Sequence, residues 1–276
     1  MAENYQSWIG RSEARTDVVT PRLLAEYRAT LGPFLFTPAQ DDICPPGLHW
    51  GLAPVTRGMD QLGPDGSENR GLFLPPIPLT RRMWAGGLVE SFAAIHLGMD
   101  VSRVATISDV KMREGKSGPL CFISVTHDIT SGAKLLVRER QDLVFQDGRP
   151  KDSATPAPVE TAQPDLMWTV ETPAVLLFRF SAFTFNSHRV HYDFPYATEK
   201  EGYGGLLVQG PLQAALLLNQ VATVRARVPE RFEYRCMAPL IAGHAAIVTA
   251  RRNEKGVTCR IADHKGTVTC EGTGFR

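Results

Sequence analysis

The stretch QGPLQAALLLNQVATVRARVP, residues 209–229, carries the reading of the fold. Gly210-Pro211 starts a helix, because the first helical turn has no use for the N–H that proline lacks. From there Leu212, Ala215, Leu216 and Ala222 share one helical stripe with Asn219 and Thr223, while Ala214, Leu217, Leu218 and Val221 cover most of the remaining surface. A helix that is apolar on nearly every face has to be enclosed. The chain that follows can enclose it. FEYRCMAPLIA, HAAIVTARR, GVTCRIADH and TVTCEGTGF read as strands, separated by turns at Asn253–Gly256 and Lys265-Gly266.

The first half reads in the same order. In TPRLLAEYRATLG, residues 20–32, Thr20 is placed to cap a helix and Pro21 to begin it. Leu23, Leu24, Tyr27 and Leu31 follow at helical spacing, and Gly32 stops it. VATISDVKMREG, PLCFISVTHDIT and AKLLVRERQDLVFQD alternate as strands, the last two joined by a hairpin at Ser131-Gly132. Each half is thus one principal helix followed by an antiparallel meander, an α+β arrangement in which a sheet wraps around a central helix, and two such units can share a continuous sheet. The proline-rich QDGRPKDSATPAPVETAQPD cannot sustain a helix or a central strand. The expected organisation is a domain over 1–148, a linker over 149–165 and a domain over 166–276. AVLLFRFSAFT, residues 174–184, is expected to be a strand, and QLGPDGSENRGLFLPPIPLTRRMWAGG, residues 61–87, a long loop.

Composition narrows the partners. With 43% hydrophobic and 21% charged residues in 276, the chain can bury a sizeable core. Thirty basic side chains against 29 acidic ones leave no excess for a phosphate backbone, so nucleic acid is not an expected partner. The five cysteines are widely spaced and include no C-x-x-C pair, which fits a reducing compartment and argues against a disulfide framework or a zinc ribbon. MAENYQSWIGRSEARTD lacks the apolar core of a secretion signal, and no apolar run approaches the roughly 20 residues of a membrane span. The expected address is the cytoplasm.

Candidate chemistry concentrates in FRFSAFTFNSHRVHYDFPYA, residues 178–197. His188, His191 and Asp193 make an H-x-x-H-x-D that could ligate a metal, although helical i, i+4 spacing and a nearby fourth ligand are missing. Asn186 and Ser187 could instead bond local backbone in a purely structural turn. A histidine poised near neutral pH beside a polar orienter is also what proton transfer needs. Downstream, the unpaired N–H groups at Gly210 could stabilise an oxyanion, or the glycines there could serve loop-to-helix packing alone. Gly202, Gly204 and Gly205 do not form the G-x-G-x-x-G of a dinucleotide site.

FRFSAFTFNSHRVHYDFPYA together with EGYGGLLVQGPLQAALLL resembles the MaoC-like hydratase/dehydratase family of hot-dog proteins, which add or remove water across the double bond of enoyl thioesters. With the motif histidine of G-D-x-N-P-x-H on His191, Asn186 stands at the aspartate position and His188 at the asparagine, and Gln209-Gly210 falls on the helix-start pair. With LGPDGSENRGLFLPPIPLTRRMWAGG, the likeness extends to two-hot-dog chains such as itaconyl-CoA hydratase, mesaconyl-C4-CoA hydratase and mitochondrial-type 3-hydroxyacyl-thioester dehydratase. The resemblance implies a double hot-dog fold, an acyl-CoA thioester as substrate and no separate cofactor or metal. It assigns acid–base work to His191, with His188 sharing proton traffic or orienting water. Asn186, which cannot be a base, would fix that water, and the Gly210 N–H would hold the thioester oxygen. Arg81 or Arg82 would grip a second carboxylate on the acyl group, and the resemblance puts itaconyl-CoA slightly ahead of mesaconyl-C4-CoA as that substrate. Trp84, Tyr203 and Gln209 would line the substrate site, and Lys111, Arg113 and Lys116 could meet the CoA phosphates or form a charged strand rim. A fatty-acyl dehydratase and a non-catalytic acyl-CoA-binding protein are the alternatives. Paired hot-dog units within one chain leave a homo-oligomer optional.

Overall fold

The computed structural model describes residues 5–115, 118–148 and 163–275. Its strands are β1 (Ser12–Val18), β2 (Arg81–Ser91), β3 (Asp100–Gly115), β4 (Gly118–Ser131), β5 (Lys134–Gln146), β6 (Leu166–Glu171), β7 (Arg231–Cys236), β8 (Ala245–Asn253), β9 (Gly256–Ala262) and β10 (Val268–Phe275). They form one ten-stranded sheet in the order β1-β3-β4-β5-β2-β7-β10-β9-β8-β6. The order reads alike from either edge. β1-β3-β4-β5-β2 matches β6-β8-β9-β10-β7, and the two halves meet where β2 and β7 pair antiparallel, Gly86 opposite Arg235 and Val89 opposite Phe232. This is the double hot-dog arrangement. Residues 149–162 of the expected linker lie outside the described residues, as does Lys116.

Two glycines allow that junction. A Cβ on Gly86 would lie 2.4 Å from the Tyr234 carbonyl oxygen, and one on Gly87 would lie 2.3 Å from that of Arg140. The run RRMWAGG is therefore part of a central strand and not the end of a loop. Its register with β5 slips between Trp84 and Gly86, a bulge of the kind glycine-rich strands accommodate.

The helices are α1 (Pro21–Leu31), α2 (Ala174–Thr184) and α3 (Gly210–Arg225). The Thr20 hydroxyl accepts the Leu23 N–H at 3.1 Å, so α1 is capped as its sequence demands. α3 is buried along almost its whole length and packs on β8, β9 and β10. Most of its buried polar atoms are bonded, Gln220 Oε1 being an exception. The Gln213 amide oxygen accepts from the Thr269 hydroxyl at 2.8 Å, Gln220 donates to the Val248 carbonyl at 2.9 Å, and Asn219 joins the halves by donating to Pro46 O at 2.8 Å and accepting from Phe36 N at 3.0 Å.

Two further expectations change. AVLLFRFSAFT is the helix α2, not a strand: Leu177, Phe180 and Ser181 are buried at helical spacing, and Phe178 on the other face is exposed. Its phenylalanines and valine suit a strand by propensity, but burial on one face outweighs that preference. Nor is each half wrapped around a long helix. α1 packs against α2 and is its counterpart, while between α1 and β2 the described residues form only 3₁₀ turns at Gly32–Phe34, Leu48–Gly51 and Met59–Gln61. Pro33, Pro38, Pro45, Pro46, Pro54 and Pro64 forbid a long helix there. Among the described residues no helix is long and apolar enough to cross a membrane.

Candidate active site

The loop between α2 and α3 carries the motif. α2 ends at Phe185 in the left-handed conformation, φ 51°, which turns the chain sharply. The Asn186 Oδ1 accepts the His188 N–H at 3.0 Å, an Asx turn. A single 3₁₀ turn over Arg189–His191 then brings the two histidine rings edge to face, 5.4 Å between centroids. Both rings are buried.

Leu207 fixes His191. Leu207 N–H bonds the Val190 carbonyl at 3.0 Å, and the Leu207 carbonyl accepts from His191 Nδ1 at 2.8 Å. A carbonyl can only accept, so the proton sits on Nδ1 and Nε2 keeps its lone pair. Burial, joined by the positive charge of Arg82, pushes the imidazole down to about 4, against the bond to Leu207. His188 is driven well below its usual value by burial, then by Arg82 and His191. Both rings are neutral at pH 7.

A cavity of about 1130 Å³ opens on this pair and extends beneath the first half of the sheet, where Val125 and Leu143 line it and no long helix fills the space. Asn186, His188, His191, Gly210, Arg82 and Trp84 all line it, so one wall unites residues from both halves of the chain. Gly210 opens α3 against the flat of Trp84: a Cβ there would lie 2.7 Å from the ring. The Trp84 indole is anchored by donating to the Tyr234 hydroxyl at 2.9 Å.

The two arginines part company. Arg81 is committed: it donates to Tyr203 Oη at 2.7 Å and to the Gly148 carbonyl at 2.8 Å, and its Nε lies 3.3 Å from Glu201. Arg81 and Tyr203 therefore brace the cavity wall as a pair. Arg82 donates to a neutral hydroxyl, Ser67 Oγ, at 2.9 Å, and its charge is felt by both histidines. Gln209 is fully buried and faces away from the cavity, donating to Leu177 O and Ser181 Oγ at 2.9 Å each. It ties α2 to the start of α3. Asp193 is taken up by Arg189 at 2.7 Å and by the Tyr196 N–H at 3.0 Å. Among the described residues no three His, Cys, Asp or Glu side chains are grouped to hold a metal. Lys111 pairs with Asp109, and neither it nor Arg113 lines the cavity.

Sequence reading missed a second polar group in the same cavity. Arg103 on β3 and His127 on β4 line it, and Arg103 Nε donates to His127 Nδ1 at 3.1 Å. Behind them Glu139 is fully buried, accepting the Trp50 indole N–H at 2.7 Å with Arg103 NH2 at 3.7 Å. The signal was present: Arg103 alternates with Val101 and Ala105, and His127 with Val125 and Ile129, so both fall on inward positions of their strands.

The family model for hydroxyacyl-thioester dehydratase type 2 matches residues 47–242. The chain belongs to that family. It is 38% identical to mesaconyl-C4-CoA hydratase of Chloroflexus aurantiacus, over 86% of this chain and 85% of that one. It is 24% identical to the mitochondrial hydroxyacyl-thioester dehydratase type 2 of Schizosaccharomyces pombe, over 70% and 73% of the two chains. Among solved structures, HtdX of Mycobacterium tuberculosis superposes with a TM-score of 0.69 at 15% identity, covering 95% of this chain and 98% of that one. A MaoC-like dehydratase from Phytophthora capsici gives 0.68 at 11% identity, covering 99% and 98%. At such identities the superpositions establish the fold alone.

Proposed function

We propose that this hydro-lyase adds water reversibly across the double bond of a short α,β-unsaturated acyl-CoA whose acyl group ends in a second carboxylate. The observation that carries this reading is Arg82, whose side chain, among the described residues, bonds the Ser67 hydroxyl and no carboxylate, with Asp65 and Glu68 acting on it at longer range, beside two neutral histidines in one cavity. The 38% identical relative supports mesaconyl-C4-CoA ahead of itaconyl-CoA.

In the hydration direction, His191 Nε2 takes a proton from water held between it and His188. The water oxygen bonds to the β-carbon as the C=C π pair moves toward the thioester, making an enolate. The Gly210 N–H, at the positive end of α3, stabilises the enolate oxygen. The protonated His191 then returns its proton to the α-carbon. Arg82 binds the acyl carboxylate and so fixes which carbon faces the water. These steps use protein groups alone, and CoA arrives as part of the substrate. The five free thiols suit a reducing, cytoplasmic setting.

A second reading, dehydration of a longer 3-hydroxyacyl thioester, is favoured by the cavity's extension past Val125 and Leu143, which exceeds the needs of a five-carbon acyl group. Loss of enoyl-thioester absorbance with mesaconyl-C4-CoA, itaconyl-CoA, crotonyl-CoA and longer enoyl-CoAs separates the two. Turnover confined to the carboxylated pair supports the first, a preference rising with chain length supports the second, and turnover of none leaves a binding protein.

A further inference from the structure

Asn186 carries no charge, and its amide oxygen is occupied by the His188 N–H. A carboxylate reaches the histidine pair from the other half of the chain. Asp65 Oδ2 lies 4.0 Å from His188 Nε2, a buried nitrogen with no hydrogen-bond partner among the described residues. His188 itself is more than nine-tenths buried, at 8% exposure. An acceptor facing an otherwise unpaired buried imidazole nitrogen decides where that ring keeps its proton.

The turn that brings Asp65 there is firmly built. Gly63 N–H bonds the Ser67 carbonyl at 2.7 Å, Gly66 N–H bonds the Gly63 carbonyl at 2.9 Å, and Asp65 Oδ1 accepts the Ser67 N–H at 2.9 Å. Oδ1 is thereby used within the turn, and Oδ2 is the oxygen turned to His188. The turn is docked on the motif loop through Arg189 N–H to Asp65 O at 2.8 Å, the Arg189 guanidinium to Pro64 O at 3.0 Å and Ser187 Oγ to Gly66 O at 2.6 Å. Gly66 has φ +80°, and a Cβ on it would sit 2.1 Å from the Ser187 carbonyl oxygen, so only glycine permits this approach. Ser67, two residues on, is the partner of Arg82. One turn of the first half therefore supports both groups that flank the proposed base.

We propose that Asp65 is a positioning residue: its carboxylate holds His188 in the tautomer protonated at Nε2, so that His188 orients the attacking water for His191. The proposal rests on the hydratase reading above. At 4.0 Å in the free protein Oδ2 already faces that nitrogen, and its negative charge favours the proton there over a lone pair. Because His188 is neutral, the pair is a donor and its acceptor, not two opposite charges.

Asp65→Asn tests it, since asparagine can still accept the Ser67 N–H and keep the turn. The expected result is a fall in kcat of roughly 10²-fold with KM little changed. In a His188→Gln background the same substitution should cause no further loss, because Asp65 acts through His188. Two-bond ¹H–¹⁵N correlation spectra of the free protein should show His188 protonated at Nε2 in the wild type and lose that preference in Asp65→Asn. An unchanged tautomer, or losses that multiply in the double variant, would overturn the proposal. A wild-type chain inactive on every thioester overturns the hydratase reading instead, and the tautomer spectrum, read without substrate, tells the two failures apart.

Discussion

The Leu207 carbonyl accepts the Nδ1 proton of His191 at 2.8 Å, which leaves Nε2 as the one nitrogen of that ring able to take a proton. Leu207 belongs to the segment leading into α3, so the same short stretch sets the base and opens the helix at Gly210. The pH dependence follows from the sign. Burial lowers His191 to about 4, the active form is neutral, and kcat/KM should stay level from pH 7 down to about pH 5 and fall only as pH approaches 4. A rate profile breaking near 6.5, the ordinary histidine value, would contradict this.

Arg82 and Arg81 are adjacent in sequence and should respond differently. Arg82→Met should lower kcat/KM for mesaconyl-C4-CoA by roughly 10²-fold while changing crotonyl-CoA by less than about tenfold, because only the first offers a carboxylate to lose. Arg81→Met strands the buried Glu201 and should lower Tm while leaving the ratio of the two substrates in place. Steady-state rates on both thioesters with a melting curve for each variant decide the matter.

Gly210 is pressed against Trp84, which Tyr234 holds in place. Gly210→Ala puts a methyl 2.7 Å from that ring, so either the indole or the start of α3 has to move. The expected outcome is about 1–3 kcal/mol of lost stability from overpacking and a kcat lower by roughly 10²-fold, because an oxyanion donor displaced by an ångström no longer meets its oxygen. Denaturant midpoints and kcat on one preparation test both.

Acid stability has a definite direction. His49, His127, His188 and His191 are all lowered by burial, with His49 at about 3 and His191 at about 4. Below about 6.5 the unfolded chain takes up protons that the folded chain refuses, so stability falls as pH drops from 6.5 towards 4, by about 1.4 kcal/mol per pH unit for each such histidine. Glu139 and Glu201, raised by burial, act in the opposite sense but are two groups against four. Tm should therefore drop across this range. A flat Tm between pH 6.5 and 4.5 would count against the buried neutral histidines.

The fold was legible where burial left a clear period. The all-round apolar face of α3 and the alternation of β3, β4, β5 and β7 to β10 are readable because sheet and helix bury opposite sides of the same core. α2 was not, since Phe178, Phe180 and Phe183 favour a strand until the partner that buries one face is known. Among candidate site residues, His188, His191, Asn186, Gly210, Arg82 and Trp84 do meet in one cavity. Gln209 and Arg81 are turned to structural partners, a choice made by side-chain direction that a one-dimensional pattern does not encode. Asp65 was equally out of view, because 123 positions separate it from His188 and only the docking of two loops brings them together.

The proposed role of His191 as the base of a thioester hydratase is open to direct measurement. The direct test follows the enoyl-thioester absorbance of mesaconyl-C4-CoA with the wild-type chain and with His191→Gln at equal concentrations. The expected result is steady loss of absorbance with the wild type and a rate lower by ~10²–10⁴-fold in the variant, with both proteins folded. Near-equal rates for the two chains would contradict it.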